Sequence, residues 1–265
     1  MLGSDVATRE LTWIRSRSLA WRAGSVLAMC ATVIATVLLL PPIHVAFEQR
    51  ALADQRTLLG VPNGLDVLSN IPFALVGLLG LARLRRLEPG LRPIGLVLFV
   101  ALLAVALGSS YYHLAPSAGR LLADRLPITL AFMSILALVL GDRLSPRLGR
   151  VTLGPLVALA AGAALIWYLG GDAPGGGDLR AYSLTQALPM AALPALLLVF
   201  PGRLEERRLV IALLLYVAAK LFEAFDTQIF ALGHLVSGHT LKHLAAGAAC
   251  FFIVPGAQAT RSLER

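Results

Sequence analysis

Long apolar runs alternate with short polar breaks along this chain, and the runs have the length of lipid-spanning helices. At 1.5 Å per residue, a helix needs about 20 mainly apolar residues to cross the hydrocarbon core. Eight runs qualify, over roughly 24–46, 66–86, 93–113, 121–141, 151–170, 181–200, 208–231 and 239–257. Pro72, Pro127, Pro189 and Pro255 fall inside or near the ends of these runs. Neighbouring helices can satisfy the backbone groups that a proline frees in a membrane. GGDAPGGGD (170–178) reads as a flexible loop between the fifth and sixth runs. The pattern predicts an all-α, polytopic membrane helix bundle.

Composition agrees. The 265 residues are 57% hydrophobic and only 14% charged, with mean hydropathy +0.77. Soluble domains carry about 25% charged residues. The net charge of +8 would suggest nucleic acid on a soluble chain. Here the basic residues punctuate apolar runs, without the aromatic interleaving of a nucleic-acid surface. Cys30 and Cys250 both fall in apolar runs and read as packing residues. Arg15, Arg17 and Arg22 precede the first run as they would in a signal peptide. The only small-residue cleavage pattern, Ala51-Leu52-Ala53, lies too far downstream, so the run reads as an uncleaved anchor.

Eight crossings put both termini on one side of the membrane. That side collects most of the 23 Lys and Arg residues, including clusters at Arg83–Arg92, Arg143–Arg150 and Arg203–Arg208. The excess predicts cytoplasmic termini. The Arg-rich, Lys-poor, Ala/Leu-rich composition points to a bacterium of high genomic GC content, and so to a bacterial inner membrane.

Polar residues inside the runs gather at one end. Charged groups near the bilayer centre are costly, so their positions carry information. The third run ends GSSYYH, with Ser109 and His113, and the fourth opens LLADRLP, with Asp124. The eighth opens GHTLKH, with His239 and His243; the second opens NGLDVLSN, with Asp66, Ser69 and Asn70. By the parity of the crossings, all four ends face the non-cytoplasmic side. His239 and His243 are four residues apart, so both imidazoles leave one helix face. Two such nitrogens can share a metal ion, and His113 is the candidate third ligand. Three histidines leave a fourth tetrahedral position for water, whose pKa zinc lowers to about 7. Asp124 is the candidate general base. Ser109, one turn before His113, is the candidate partner of the water, the carboxylate or a substrate carbonyl. Imidazole also suits copper, nickel and iron.

Other polar residues read more plainly. His44 and His234 lack partners at helical spacing and read as interfacial, and Lys242 reads as a snorkelling end residue. Lys220 and Glu223, three apart, read as an ion pair inside the bundle. Asp226 is placed to orient a ligand histidine, and Asp66, Ser69 and Asn70 are candidates for the same supporting shell.

As a set, S-x-x-x-H at 109–113, Asp124 and H-x-x-x-H at 239–243 resembles the alkaline ceramidase family. That family belongs to a seven-helix hydrolase superfamily that includes the progestin/adiponectin receptors and haemolysin-III-like proteins. PNGLDVLSNIPF (62–73) is similar to the opening of the ceramidase core. The resemblance implies a seven-helix core over 47–257, preceded by an extra helix within 1–46 and followed by a tail at 258–265. It implies zinc on His113, His239 and His243, with Asp124 and Ser109 catalytic. The implied reaction hydrolyses the amide of a ceramide-like membrane lipid to a fatty acid and a long-chain amine. The family's calcium stretch is only partly matched. FEQRALADQRTLLGVPN offers Glu48, Asp54 and Asn63 but lacks Trp-Cys-Glu, and calcium takes six or more oxygens. The rival expectations are a receptor of the adiponectin-receptor or haemolysin-III type with little turnover, and a purely structural protein or a transporter. No internal repeat supports the latter.

Overall fold

A computed structural model describes residues 3–44 and 52–256, with side chains from residue 19 onward. The helices are α1 Gly3–Leu39, α2 Gly64–Leu68, α3 Ile71–Ala82, α4 Arg92–Leu114, α5 Ala118–Arg143, α6 Pro146–Leu169, α7 Arg180–Val199, α8 Glu206–Ala224, α9 Asp226–Ala231 and α10 Gly238–Ile253. No strand occurs among the described residues. The protein is an all-α membrane helix bundle, as the hydropathy pattern predicts. With no water in the hydrocarbon core, helices are the open-chain solution that satisfies every backbone group internally.

Six helical segments are long and apolar enough to cross a membrane, rather than eight: Leu19–Leu39, Gly64–Ala82, Arg92–Leu114, Ala118–Arg143, Pro146–Leu169 and Arg180–Val199. The other two expected crossings fall short for separate reasons. α8 carries Glu206, Arg207, Arg208, Lys220 and Glu223, and α10 has only 16 residues. Both still pack into the bundle, against each other and with α10 on α3. The first helix ends at Leu39, ahead of Pro41-Pro42, instead of running to 46. Among the described residues α1 packs chiefly on α7, and most of its face from Leu19 onward is exposed to the surroundings.

Sequence punctuation sets the helix starts. Ser117, Ser145 and Ser237 cap α5, α6 and α10, each accepting from the backbone N–H three residues on at 3.3, 3.1 and 3.0 Å. At the opposite end of α10, Arg208 donates to the carbonyls of Phe251, Phe252 and Val254, filling acceptors that the helix leaves open. Arg143 is a buried cation held by Glu206 at 3.0 Å and the Phe200 carbonyl at 3.1 Å, which fastens α5 to the start of α8.

Two glycines set the distances that matter for the site. A Cβ on Gly108 would stand 2.0 Å from the Ala123 carbonyl oxygen, so α4 and α5 touch backbone to backbone one residue from both Ser109 and Asp124. A Cβ on Gly238 would stand 2.2 Å from the Phe222 oxygen and 2.6 Å from the Asp226 Cα. The first turn of α10 therefore rests directly on the α8–α9 junction. Gly108→Ala and Gly238→Ala are each expected to destabilise the protein by about 1–3 kcal/mol, the usual cost of overpacking. Denaturant or thermal unfolding in detergent reads the loss.

Candidate metal centre

Three imidazoles meet at one end of the bundle. His113, in the last turn of α4, and His239 and His243, in the first two turns of α10, place one ligand atom each within 4.8 Å of the others. The Nε2 atoms of His113 and His239 are 3.2 Å apart. Two ligands on a tetrahedral zinc at the usual Zn–N length lie about 3.3 Å apart, so this spacing suits a shared ion. His113 and His243 are buried, and His239 is half-buried.

Neighbouring side chains orient these rings. The Ser69 hydroxyl lies 2.8 Å from His243 Nδ1 and donates to the Asp66 carbonyl at 3.0 Å. With that proton committed, Ser69 accepts from His243 Nδ1–H, which leaves the Nε2 lone pair for a metal. The Asp66 carboxylate accepts from Thr240 at 2.6 Å and Ser237 at 3.4 Å, tying α2 to the start of α10. Asn70 donates to the Asp66 carbonyl at 2.8 Å, which stiffens the α2–α3 break. Asp226 touches no imidazole in this arrangement. Its Oδ1 accepts the His239 backbone N–H at 2.7 Å and its Oδ2 the Ala53 N–H at 3.3 Å, so it positions the helix turn that carries the ligand.

Asp124 is the acidic group of the site. Its Oδ1 is buried and has no hydrogen-bond partner, and Ser109 is its hydrogen-bonding neighbour across the α4–α5 contact. Both line a cavity of about 740 Å³ that also takes in His239 and His243. The cavity continues along α10 to Ile253, about 21 Å at 1.5 Å per residue. Its deeper walls are apolar, from Leu102 and Val105 on α4 to Phe132 on α5 and Leu193 on α7.

Two of the three residues expected to hold calcium lie among the described residues. Glu48 lies outside the described residues. Both Asp54 oxygens accept from the Arg56 guanidinium, at 2.8 and 2.7 Å, and Asn63 donates its amide to the His113 carbonyl at 2.7 Å. The Arg56 hydrogen bonds hold the Asp54 carboxyl below its usual range. Arg56 also donates to the Leu235 carbonyl at 2.9 Å, so this pair closes the loop over the site. Asn63 buttresses the helix end that carries His113.

Sequence spacing misread Lys242. It points inward, with its Nζ 3.2 Å from both Glu223 Oε1 and His239 Nε2. Glu223 takes Lys220 as well, so one carboxylate serves two ammonium groups. A cation on His239 and the Lys242 ammonium compete for the same lone pair. His44 and His234 stay outside the cluster; His44 Nδ1 meets the Gly176 carbonyl at 3.0 Å, and His234 packs on the Phe230 ring.

Ser69→Ala removes the acceptor that fixes the His243 tautomer. It is expected to weaken metal affinity about 10–100-fold, as loss of such partners generally does. Competition with a graded series of chelators measures the change. Comparison with protein-family models, with curated proteins and with solved structures gave no match for this chain.

Proposed function

We propose that this protein is a zinc-dependent intramembrane amidase of the alkaline ceramidase type, cleaving N-acyl lipids to a fatty acid and a long-chain amine. The observation that carries the reading is the convergence of three imidazoles with a buried, partner-free carboxylate oxygen at the mouth of a long apolar cavity. Such a cavity suits an acyl chain, and such a mouth suits hydrolysis of a polar bond. His113, His239 and His243 are the residues that would hold the ion. When bound, zinc supplies a Lewis acid and makes its water acidic near neutral pH.

The chain's own groups do the rest. The apolar cavity walls bind the acyl chain and exclude water, which brings the amide to the polar end. The Asp124 carboxylate takes the proton of the attacking water at Oδ1 and returns it to the departing amine nitrogen. Ser109 donates its hydroxyl proton in a hydrogen bond to Asp124 and so keeps that carboxylate aimed at the attacking water. Ser69 holds His243 in one tautomer, and Asp226 holds the turn that carries His239. The lipid enters sideways from the bilayer. The charge bias of the breaks supports a reading in which this end of the bundle faces the non-cytoplasmic side of a bacterial inner membrane.

Purified protein incubated with N-acyl lipids in mixed micelles is expected to release free fatty acid, detected by mass spectrometry. Asp124→Asn should lower turnover about 10²–10⁴-fold, the usual worth of a positioned general base. His113→Ala should abolish turnover while the helical signal persists. Wild-type rates in Asp124→Asn would remove that residue from the chemistry.

A further inference from the structure

Two cations flank the proposed amidase site, and neither has a carboxylate to itself. Arg125 follows Asp124 on α5. Its guanidinium lies over the Trp167 ring of α6 at 4.2 Å and the Tyr182 ring of α7 at 4.7 Å. That double stack fixes the plane of the fork. Its Nη1 is nevertheless buried without a hydrogen-bond partner, and Arg125 makes no salt bridge among the described residues. A buried donor left unmade is costly, and more so on a charged group. Lys242 is the second cation, sharing Glu223 with Lys220.

Both Arg125 and Lys242 line the cavity, and both act electrostatically on the Asp124 carboxylate. They therefore surround the position where the amide must sit. A metal ion on the histidines adds further positive charge there. It also takes the His239 lone pair, which frees Lys242 donors for another acceptor. Glu223 and Asp124 offset part of this charge, but a neutral amide with a neutral head group leaves the rest without a counter-ion. A ligand anion compensates it and supplies the acceptor that Arg125 lacks.

We propose that the preferred lipid carries an anionic group, a carboxylate or a phosphate, on the amine side of its amide, and that Arg125 and Lys242 hold that group. The proposal names the substrate class of the amidase site and rests on that reading. With the acyl chain in the apolar depth, the amine half lies at the mouth, beside these two cations. Arg125 and Lys242 are then specificity-determining residues, while Asp124 and the histidines serve the chemistry.

The test uses three probes with one acyl chain: N-lauroylglycine, N-lauroyl-phosphoethanolamine and N-lauroylethanolamine. Full-length protein in detergent should show kcat/KM at least about tenfold higher for an anionic probe than for the neutral one, the worth of one charge-assisted hydrogen bond. The better of the two anionic probes identifies carboxylate or phosphate. Lys242→Gln and Arg125→Gln should each raise KM for that probe about tenfold more than KM for the neutral probe. Lys242→Gln leaves the stack on Trp167 intact, so it reads charge without disturbing helix packing. Equal or better use of N-lauroylethanolamine by the wild type overturns the proposal and leaves the amidase standing. Equal losses on all probes in both variants overturn it as well, reducing the two cations to structural groups. Equilibrium dialysis of the same probes separates the two readings. If nothing is cleaved but N-lauroylglycine binds about tenfold more tightly than the ethanolamide, and Lys242→Gln removes the difference, the amidase reading fails and anion recognition stands.

Discussion

Burying three imidazoles at one end of a helix bundle is the constraint from which the rest of this structure follows. Each ring brings nitrogens that need partners where water is scarce. His243 solves the problem through Ser69, and the start of α10 through Asp66, Thr240, Ser237 and Asp226. What remains is His113 Nδ1, buried without a partner, and a pair of Nε2 atoms facing each other at 3.2 Å. Two neutral imidazoles can share only one proton across such a gap, whereas a metal ion satisfies both lone pairs. The close approach at Gly108 adds Ser109 and Asp124 to the same spot, and the seat made by Gly238 fixes the height of α10. The first contact sets where Asp124 stands beside α4, and the second sets the first turn of α10, which carries His239.

The cavity divides along its length into two chemistries. At one end stand His239, His243, Asp124, Arg125, Glu223 and Lys242; along the rest the walls are mainly aliphatic and aromatic. A hydrophobic tunnel ending in a charged cluster binds an amphiphile in one direction only. Under the proposed amidase reading, orientation needs no dedicated recognition of the chain, and the charged residues are left to distinguish head groups and carry out the chemistry.

Some of this could be read from spacing. The apolar runs located the helices because lipid demands continuous apolar length, and the four polar run-ends found one another because helix parity puts them on one face. The histidine pair was legible because i, i+4 geometry is local. What failed was set by neighbours. Which way Lys242 points depends on Glu223 from another helix, and Asp226 acts through a backbone N–H that no side-chain motif announces. The breaks at Ser69–Asn70 and Phe225 interrupt runs that hydropathy reads as continuous. The Asp54 oxygens are taken by Arg56, an intraloop pairing that spacing does not announce, while Asn63 uses its amide N–H on the His113 carbonyl. Arg125 drew no notice because its stacking partners are about 40 and 60 residues away on α6 and α7.

The most direct test of the account is the metal content of the purified protein, measured by elemental mass spectrometry beside His113→Ala and the His239→Ala/His243→Ala double variant. The account predicts near-stoichiometric zinc in the wild type and its loss in both variants, with helical content retained in each. A well-folded wild type that stays free of metal after zinc is supplied would contradict it.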